Sequence, residues 1–221
     1  MFYNQNNDPL KNWWSFIADF DLLIGWSPCT DLSIAKKDRK GLEWEKSSLF
    51  REYTRILKEV KPKWFILENV ASMPKKDKDI ITKELGVEPI MIDASLVSAQ
   101  SRKRLFRTNI QWVTQPIDRK IMLNDIFDWW WYKYIVQRWR GFNKWWIHKY
   151  KSPTLSSCAW QENNKLCDWK EIRKLTHIEC ERLQCLPDNY TEWVSNTQRY
   201  KMLWNAFNVD VVAHILSFIH I

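Results

Sequence analysis

Glycine is scarce. The chain has 4 glycines in 221 residues, where ordinary usage of about 7% would supply roughly 15. No stretch approaches 18 uncharged apolar residues, which excludes a membrane-spanning helix. The first residues, MFYNQNNDPLKNWW, lack a basic region followed by an apolar one, so no secretion signal is expected. The five cysteines, Cys29, Cys158, Cys167, Cys180 and Cys185, are odd in number and form no C-x-x-C pair. A disulfide framework, a zinc cluster or another metal site is therefore not expected, and a reducing cytoplasmic or nucleoid-associated setting is. There is no internal repeat and no low-complexity linker.

Tryptophan is abundant instead, with 16 copies. Hydrophobic residues make up 45% and charged residues 27%, which excludes a wholly disordered chain. The length suits one large domain or a domain with a small appendage. A net charge of +8 suits a polyanionic partner.

The first half alternates between two periodicities. Asp21 to Gly25 and Trp64 to Leu67 are short apolar runs that read as buried strands, followed by Val87 to Asp93 and Arg104 to Ile110. Between the first two, Leu49, Phe50, Tyr53, Ile56, Leu57 and Val60 fall on one helical face, stopped by Pro62. Asp77 to Leu85 reads as a polar helix closed by Gly86. This order predicts an α/β fold with a mainly parallel sheet and helices on both faces, spanning residues 1–113. From 114 to 170 the rhythm fails in a Trp-rich, basic stretch, read as a small irregular lobe. Helical signals return over 171–221, where Thr176 and Glu179 form a capping box, Pro187 ends the helix, and Asn196–Ala206 and Asp210–Ile219 close the chain.

Candidate chemistry gathers at strand ends, which line the ligand crevice of an open α/β sheet. Ser27-Pro28-Cys29 follows the first strand. A thiol there reads as a nucleophile or as a small buried hydrophobe. Glu68-Asn69-Val70 ends the second strand with a carboxylate, suited to acid–base work or to a cap or salt bridge. Gln100-Ser-Arg102-Lys-Arg104 puts two guanidinium groups on one face, for clamping an anion or carbonyl or as a solvated edge.

The order S-P-C, E-N-V, Q-x-R-x-R resembles the DNA cytosine-5 methyltransferases. So do Cys29-Thr-Asp-Leu-Ser-Ile with Arg39-Lys-Gly-Leu, which look like the de novo branch, and Ile90–Ala94, Lys151-Ser-Pro-Thr-Leu155, Glu179–Gln184 and Trp204-Asn-Ala-Phe207. The resemblance implies a Rossmann-like methyltransferase sheet and a target-recognition lobe over 114–170. It assigns catalysis to Cys29, Glu68, Arg102 and Arg104, substrate contacts to Pro28, Asn69 and Gln100, and cofactor contacts to Leu49, Asn205 and Phe207. The implied cofactor is S-adenosyl-L-methionine and the implied partner double-stranded DNA, with the target base flipped out of the helix. The loop Thr30 to Ser47 would close over that base.

Two departures accompany the resemblance. The glycine-rich first strand of the family has no counterpart here, so the sheet is expected to be truncated and cofactor binding by this chain alone weak. A separate chain supplying those N-terminal motifs, or a DNA-binding remnant without catalysis, are the alternative readings. Trp204 stands where the family has glycine, on the cofactor side, and Trp26, Trp44 and Trp193 look like further glycine replacements. Glycine and tryptophan codons differ at one base, so a decaying gene copy, or a host reading a stop codon as tryptophan, would produce this pattern.

Overall fold

The computed structural model of the chain describes residues 20–26, 49–127, 133–137, 146–155, 164–167 and 171–219. The first sheet holds β1 (Leu22–Trp26), β2 (Trp64–Val70), β3 (Ile90–Asp93) and β4 (Lys103–Thr108), in the order β1-β2-β4-β3. β1 and β2 pair in parallel, while β4 runs antiparallel to both β2 and β3. Three strands thus point one way, and β4 is the exception to the mainly parallel expectation. Its connection from β3, residues 94–102, is shorter than the dozen or more residues a parallel crossover takes.

Both faces of this sheet are covered. On one, Phe50, Tyr53 and Leu57 of α1 (Leu49–Val60) and Ile81 of α2 (Lys75–Leu85) pack on Leu67 and Val70. On the other, Val211 and Ile215 of α5 (Val209–Leu216) pack on Ile66, Ile92 and Phe106. Gly25 admits the Tyr53 ring, since a Cβ there would sit 2.9 Å from its edge carbons. Gly86 closes α2 at φ 69°, donating its backbone N–H to Thr82 O at 2.8 Å. The remaining left-handed positions among the described residues are filled without glycine, by Lys61, Trp112, Lys120, Cys185 and Asn189.

The middle region carries regular structure that its sequence does not announce. β5 (Tyr134–Gln137), β6 (Trp146–His148), β7 (Asn164–Cys167) and β8 (Ile172–Lys174) form an antiparallel sheet in the order β6-β5-β7-β8. Strands of three or four residues are too short to show alternation against the surrounding Trp-rich sequence. Ile135 and Leu166 bury the inner face against Leu123, Leu183 and Leu203. α3 (His177–Leu183) and α4 (Asn196–Asn205) therefore share a core with this second sheet. α3 starts at the Thr176–Glu179 capping box and stops ahead of Pro187, with Cys185 already left-handed at φ 59°.

Candidate active site

β1 and β2 end side by side, with Trp26 opposite Glu68. The chain leaves β1 next to that carboxylate. Ser27, Pro28 and Cys29, and the basic loop Thr30 to Ser47, lie outside the described residues.

Strand alternation assigns the faces. Glu68 shares its face of β2 with Ile66, and Arg104 shares the same face of β4 with Phe106, which pairs with Glu68. Arg104 Nε lies 2.8 Å from Glu68 Oε1, and an Arg102 Nη lies 3.6 Å from the same oxygen. Glu68 is 6% and Arg102 5% exposed. Burial raises the Glu68 pKa above the ordinary carboxylate range, and the two guanidinium groups oppose that rise without cancelling it. The group is suited to holding a proton and handing it on. Arg102 also donates to Ala206 O at 3.0 Å and to Trp204 O at 3.4 Å, which ties the carboxylate site to the C-terminal end of α4.

The other sequence-picked residues separate. Asn69 points to the opposite face of β2, buried, where its Oδ1 accepts from Arg107 at 3.2 Å. Gln100 is fully buried and holds Leu183 O and the Leu155 N–H, at 3.3 and 3.4 Å. Both are engaged internally, so the structure brings neither side chain to Glu68. Leu49 begins α1. Asn205 is exposed, with its Nδ2 on Lys201 O at 3.0 Å. Phe207 stacks edge-on against Trp26, with ring centroids 5.3 Å apart. The Trp204 indole, expected on the cofactor side, packs half-buried against the apolar cluster around Leu183 and Leu203, because that is the face of α4 turned toward the second sheet.

Two described thiols make poor nucleophiles. Burial pushes Cys180 well above the ordinary thiol range and Cys185 up to about 11. Cys167 shares a 3.1 Å hydrogen bond with the Tyr134 hydroxyl.

Two supports went unread in the sequence. Arg107, fully buried, donates to Asn69 Oδ1, Lys78 O and Thr82 Oγ1. Glu181, also fully buried, accepts from the backbone N–H of Asn189 and Thr191 and from Arg199, fixing the turn between α3 and α4. An apolar strand interrupted by Arg107, and a carboxylate in the middle of the apolar face of α3, were the available signals.

The second sheet turns Tyr134, Val136, Lys165 and Lys174 to the face opposite Ile135 and Leu166. Ile172 on this side is 67% exposed. Among the described residues, no helix is long and apolar enough to cross a membrane.

The family model for C-5 cytosine-specific DNA methylases matches residues 4–116 and 100–220. A type II methyltransferase of Lactococcus lactis, M1.ScrFI, is 28% identical, over 89% of this chain and 61% of its own length. An orphan methyltransferase of Bacillus phage SPR, M.SPRI, is 34% identical over 43% of this chain and 24% of its own length. The chain thus spans between about a quarter and three fifths of these two relatives. In fold it is similar to a prophage-encoded DNA modification methyltransferase of E. coli, with TM-score 0.64, 17% identity, and 96% of this chain and 82% of that one covered. A methyltransferase of Entamoeba histolytica also gives TM-score 0.64, at 14% identity, covering 90% of this chain and 76% of that one.

Proposed function

The chain belongs to the C-5 cytosine-specific DNA methylase family, and from that premise we propose that it methylates C5 of cytosine in double-stranded DNA. The observation that carries the reading is the buried Glu68 held by Arg104 at 2.8 Å and Arg102 at 3.6 Å, across from the last residue of β1, the strand that Cys29 follows in sequence.

Cytosine C5 is a weak nucleophile. The Cys29 thiolate adds to C6, and the ring electrons shift so that C5 becomes enamine-like. Charge builds at N3, where a carboxyl that holds its proton unusually well is the fitting donor. Arg104, beside it, supports the cytosine carbonyl, and Arg102 steadies the carboxylate. When bound, S-adenosylmethionine supplies an electrophilic methyl group for C5. A water molecule then takes the C5 proton, the released electron pair expels the Cys29 thiolate, and N3 returns its proton to Glu68, which restores the ring. Of this chain, Phe207 with Trp26 offers an aromatic surface and Asn205 an exposed amide to that cofactor.

A base inside a duplex cannot reach a buried carboxyl, so it must be flipped out. The outward lysines of the second sheet, with the basic segments beside them, suit phosphate contacts. DNA affinity should fall steeply with salt, by about 0.9 in log K per log salt for each neutralised phosphate.

Duplex DNA containing 5-fluorocytosine tests the reading, because fluorine at C5 blocks the final elimination. With S-adenosylmethionine the chain should form a stable adduct that Cys29→Ser does not form. An adduct that persists in Cys29→Ser overturns the assignment. Salt-sensitive DNA binding without any adduct identifies a DNA-binding remnant instead.

A further inference from the structure

The loop that delivers Arg102 is closed at its base, where the Ala94 N–H donates to Arg102 O at 3.1 Å, and it turns on the Val97 and Ser98 N–H groups donating to Ala94 O. Ser98 caps the short turn at Ala94, and Asp93 holds the Arg102 backbone N–H at 2.8 Å. Much of the rest comes from a segment about fifty residues later. Lys151 Nζ donates to Ser95 O at 2.6 Å, Ser98 O at 3.0 Å and Ile121 O at 2.5 Å. The Ser152 backbone N–H donates to Ala99 O at 2.6 Å, and its carbonyl accepts from the Ser101 N–H at 2.8 Å. Thr154 Oγ1 donates to Ser101 O at 2.7 Å. The carbonyls of residues 95, 98, 99 and 101 therefore all end on residues 151–154, and the next residue in the loop is Arg102.

An ammonium has three protons, and Lys151 places all three on backbone carbonyls from two separate stretches of chain. It acts as a cross-link, and its position is what matters. Without it, Ser95 O and Ser98 O lose their shared donor, and the loop ahead of Arg102 loses its tie to Ile121. A displacement of about 1 Å at a reacting group can cost roughly 100-fold in rate. β6 ends at His148, so the same segment also fastens the second sheet to this loop.

We infer that Lys151, assisted by Thr154, is a positioning residue that presents Arg102 and Arg104 to Glu68 and the flipped base, and that it couples the seating of the second sheet to this arginine pair. The inference rests on the cytosine chemistry proposed above.

Its test needs no methyl donor. When the thiolate adds to C6, C5 can take a deuteron from solvent. Loss of the original C5 proton and expulsion of the thiolate then regenerate cytosine, now deuterated at C5. In heavy water with saturating duplex DNA, Lys151→Met should slow this exchange by about 30- to 100-fold, the scale of a 1 Å misplacement. DNA affinity should stay within about threefold, because no phosphate contact is removed. Thr154→Val should give a smaller loss in the same direction, and it carries the test if Lys151→Met does not fold. Parent-like exchange in both variants overturns the inference. So does a defect confined to DNA affinity, which would make Lys151 part of the DNA surface. The arginine Nε–H resonances, assigned through Arg102→Lys and Arg104→Lys, give a readout independent of activity. If the parent chain shows no exchange, the cytosine reading fails, and these resonances alone decide the positioning role. They should move in Lys151→Met, and unmoved resonances overturn it.

Discussion

Glu68 and Asn69 are neighbours on β2, yet they face opposite sides of the sheet and meet two different arginine systems. On one side Glu68 meets Arg104 and Arg102, and Arg102 also reaches the carbonyls of residues 204 and 206. On the other, Asn69 meets Arg107, whose hydrogen-bond acceptors are a side-chain amide, a backbone carbonyl and a hydroxyl. Burial lowers the Arg107 pKa. The first system gathers charge at the strand end where a reacting base would sit. The second staples α2 to the sheet through Lys78 and Thr82. A three-residue motif thus contains one residue in the arginine-held carboxylate site and one that braces α2, and the period-two alternation of the strand separates them.

The largest expected effect falls on the first face. Glu68→Gln keeps the volume but loses the transferable proton, and C5 exchange should drop by about 10²- to 10⁴-fold, the usual contribution of a positioned acid or base. The pH profile sharpens this. Because burial raises the Glu68 pKa, the protonated form survives to higher pH than in an ordinary carboxylate. Exchange in the parent should decline as pH rises past that raised value, and this limb should vanish in Glu68→Gln. A limb that persists unchanged assigns the proton to another group.

A smaller effect, different in kind, is expected on the second face. Asn69→Leu removes an acceptor from a fully buried guanidinium and should cost about 1–3 kcal/mol of stability, read by urea unfolding. Exchange per folded molecule should fall by less than about threefold, since only indirect effects on the strand end remain. If Asn69→Leu leaves stability intact and abolishes exchange, Asn69 contacts the base and the division between the two faces fails.

Much of this molecule is legible in its sequence. The apolar runs of β1 and β2, the amphipathic face of α1, the Gly86 stop and the Thr176–Glu179 box all lie within a few residues of the elements they announce. Each depends on local periodicity or capping, which a linear pattern records. The grouping of Glu68, Arg102 and Arg104 was legible too, through the order of their motifs. What escaped depends on pairing between distant segments. The antiparallel sense of β4 follows from a short connection, and the second sheet exists only through the pairing of strands too brief to show a period. Asn69 sits beside Glu68 in sequence but meets Arg107 on the other face of the sheet, which a linear motif does not record. Lys151 looks like any surface lysine until three carbonyls from two other loops converge on it.

The smallest expected effect compares two exposed tryptophans and returns to the shortage of glycine. Trp112 is 81% exposed and sits at φ 64°, in the left-handed region. Trp193 is 70% exposed, lies outside that region, and donates its indole N–H to Tyr190 O at 3.0 Å. Left-handed backbone costs a residue with a Cβ roughly 1–2 kcal/mol, and glycine escapes this cost but loses about 0.5–1 kcal/mol of additional chain entropy on folding. Trp112→Gly should therefore stabilise the chain by about 0.5–1 kcal/mol, a rise of roughly 1–4 °C in Tm for a protein of this size. Trp193→Gly relieves no strain, gives up a hydrogen bond and adds chain entropy, so its Tm should fall or stay level. Calorimetric scans of the two variants beside the parent decide the matter. A gain at 112 with none at 193 marks position 112 as a backbone site shaped for glycine, whatever residue now fills it. Equal changes at both positions would mean that solvent exposure of the indole, and not the sign of φ, governs the cost.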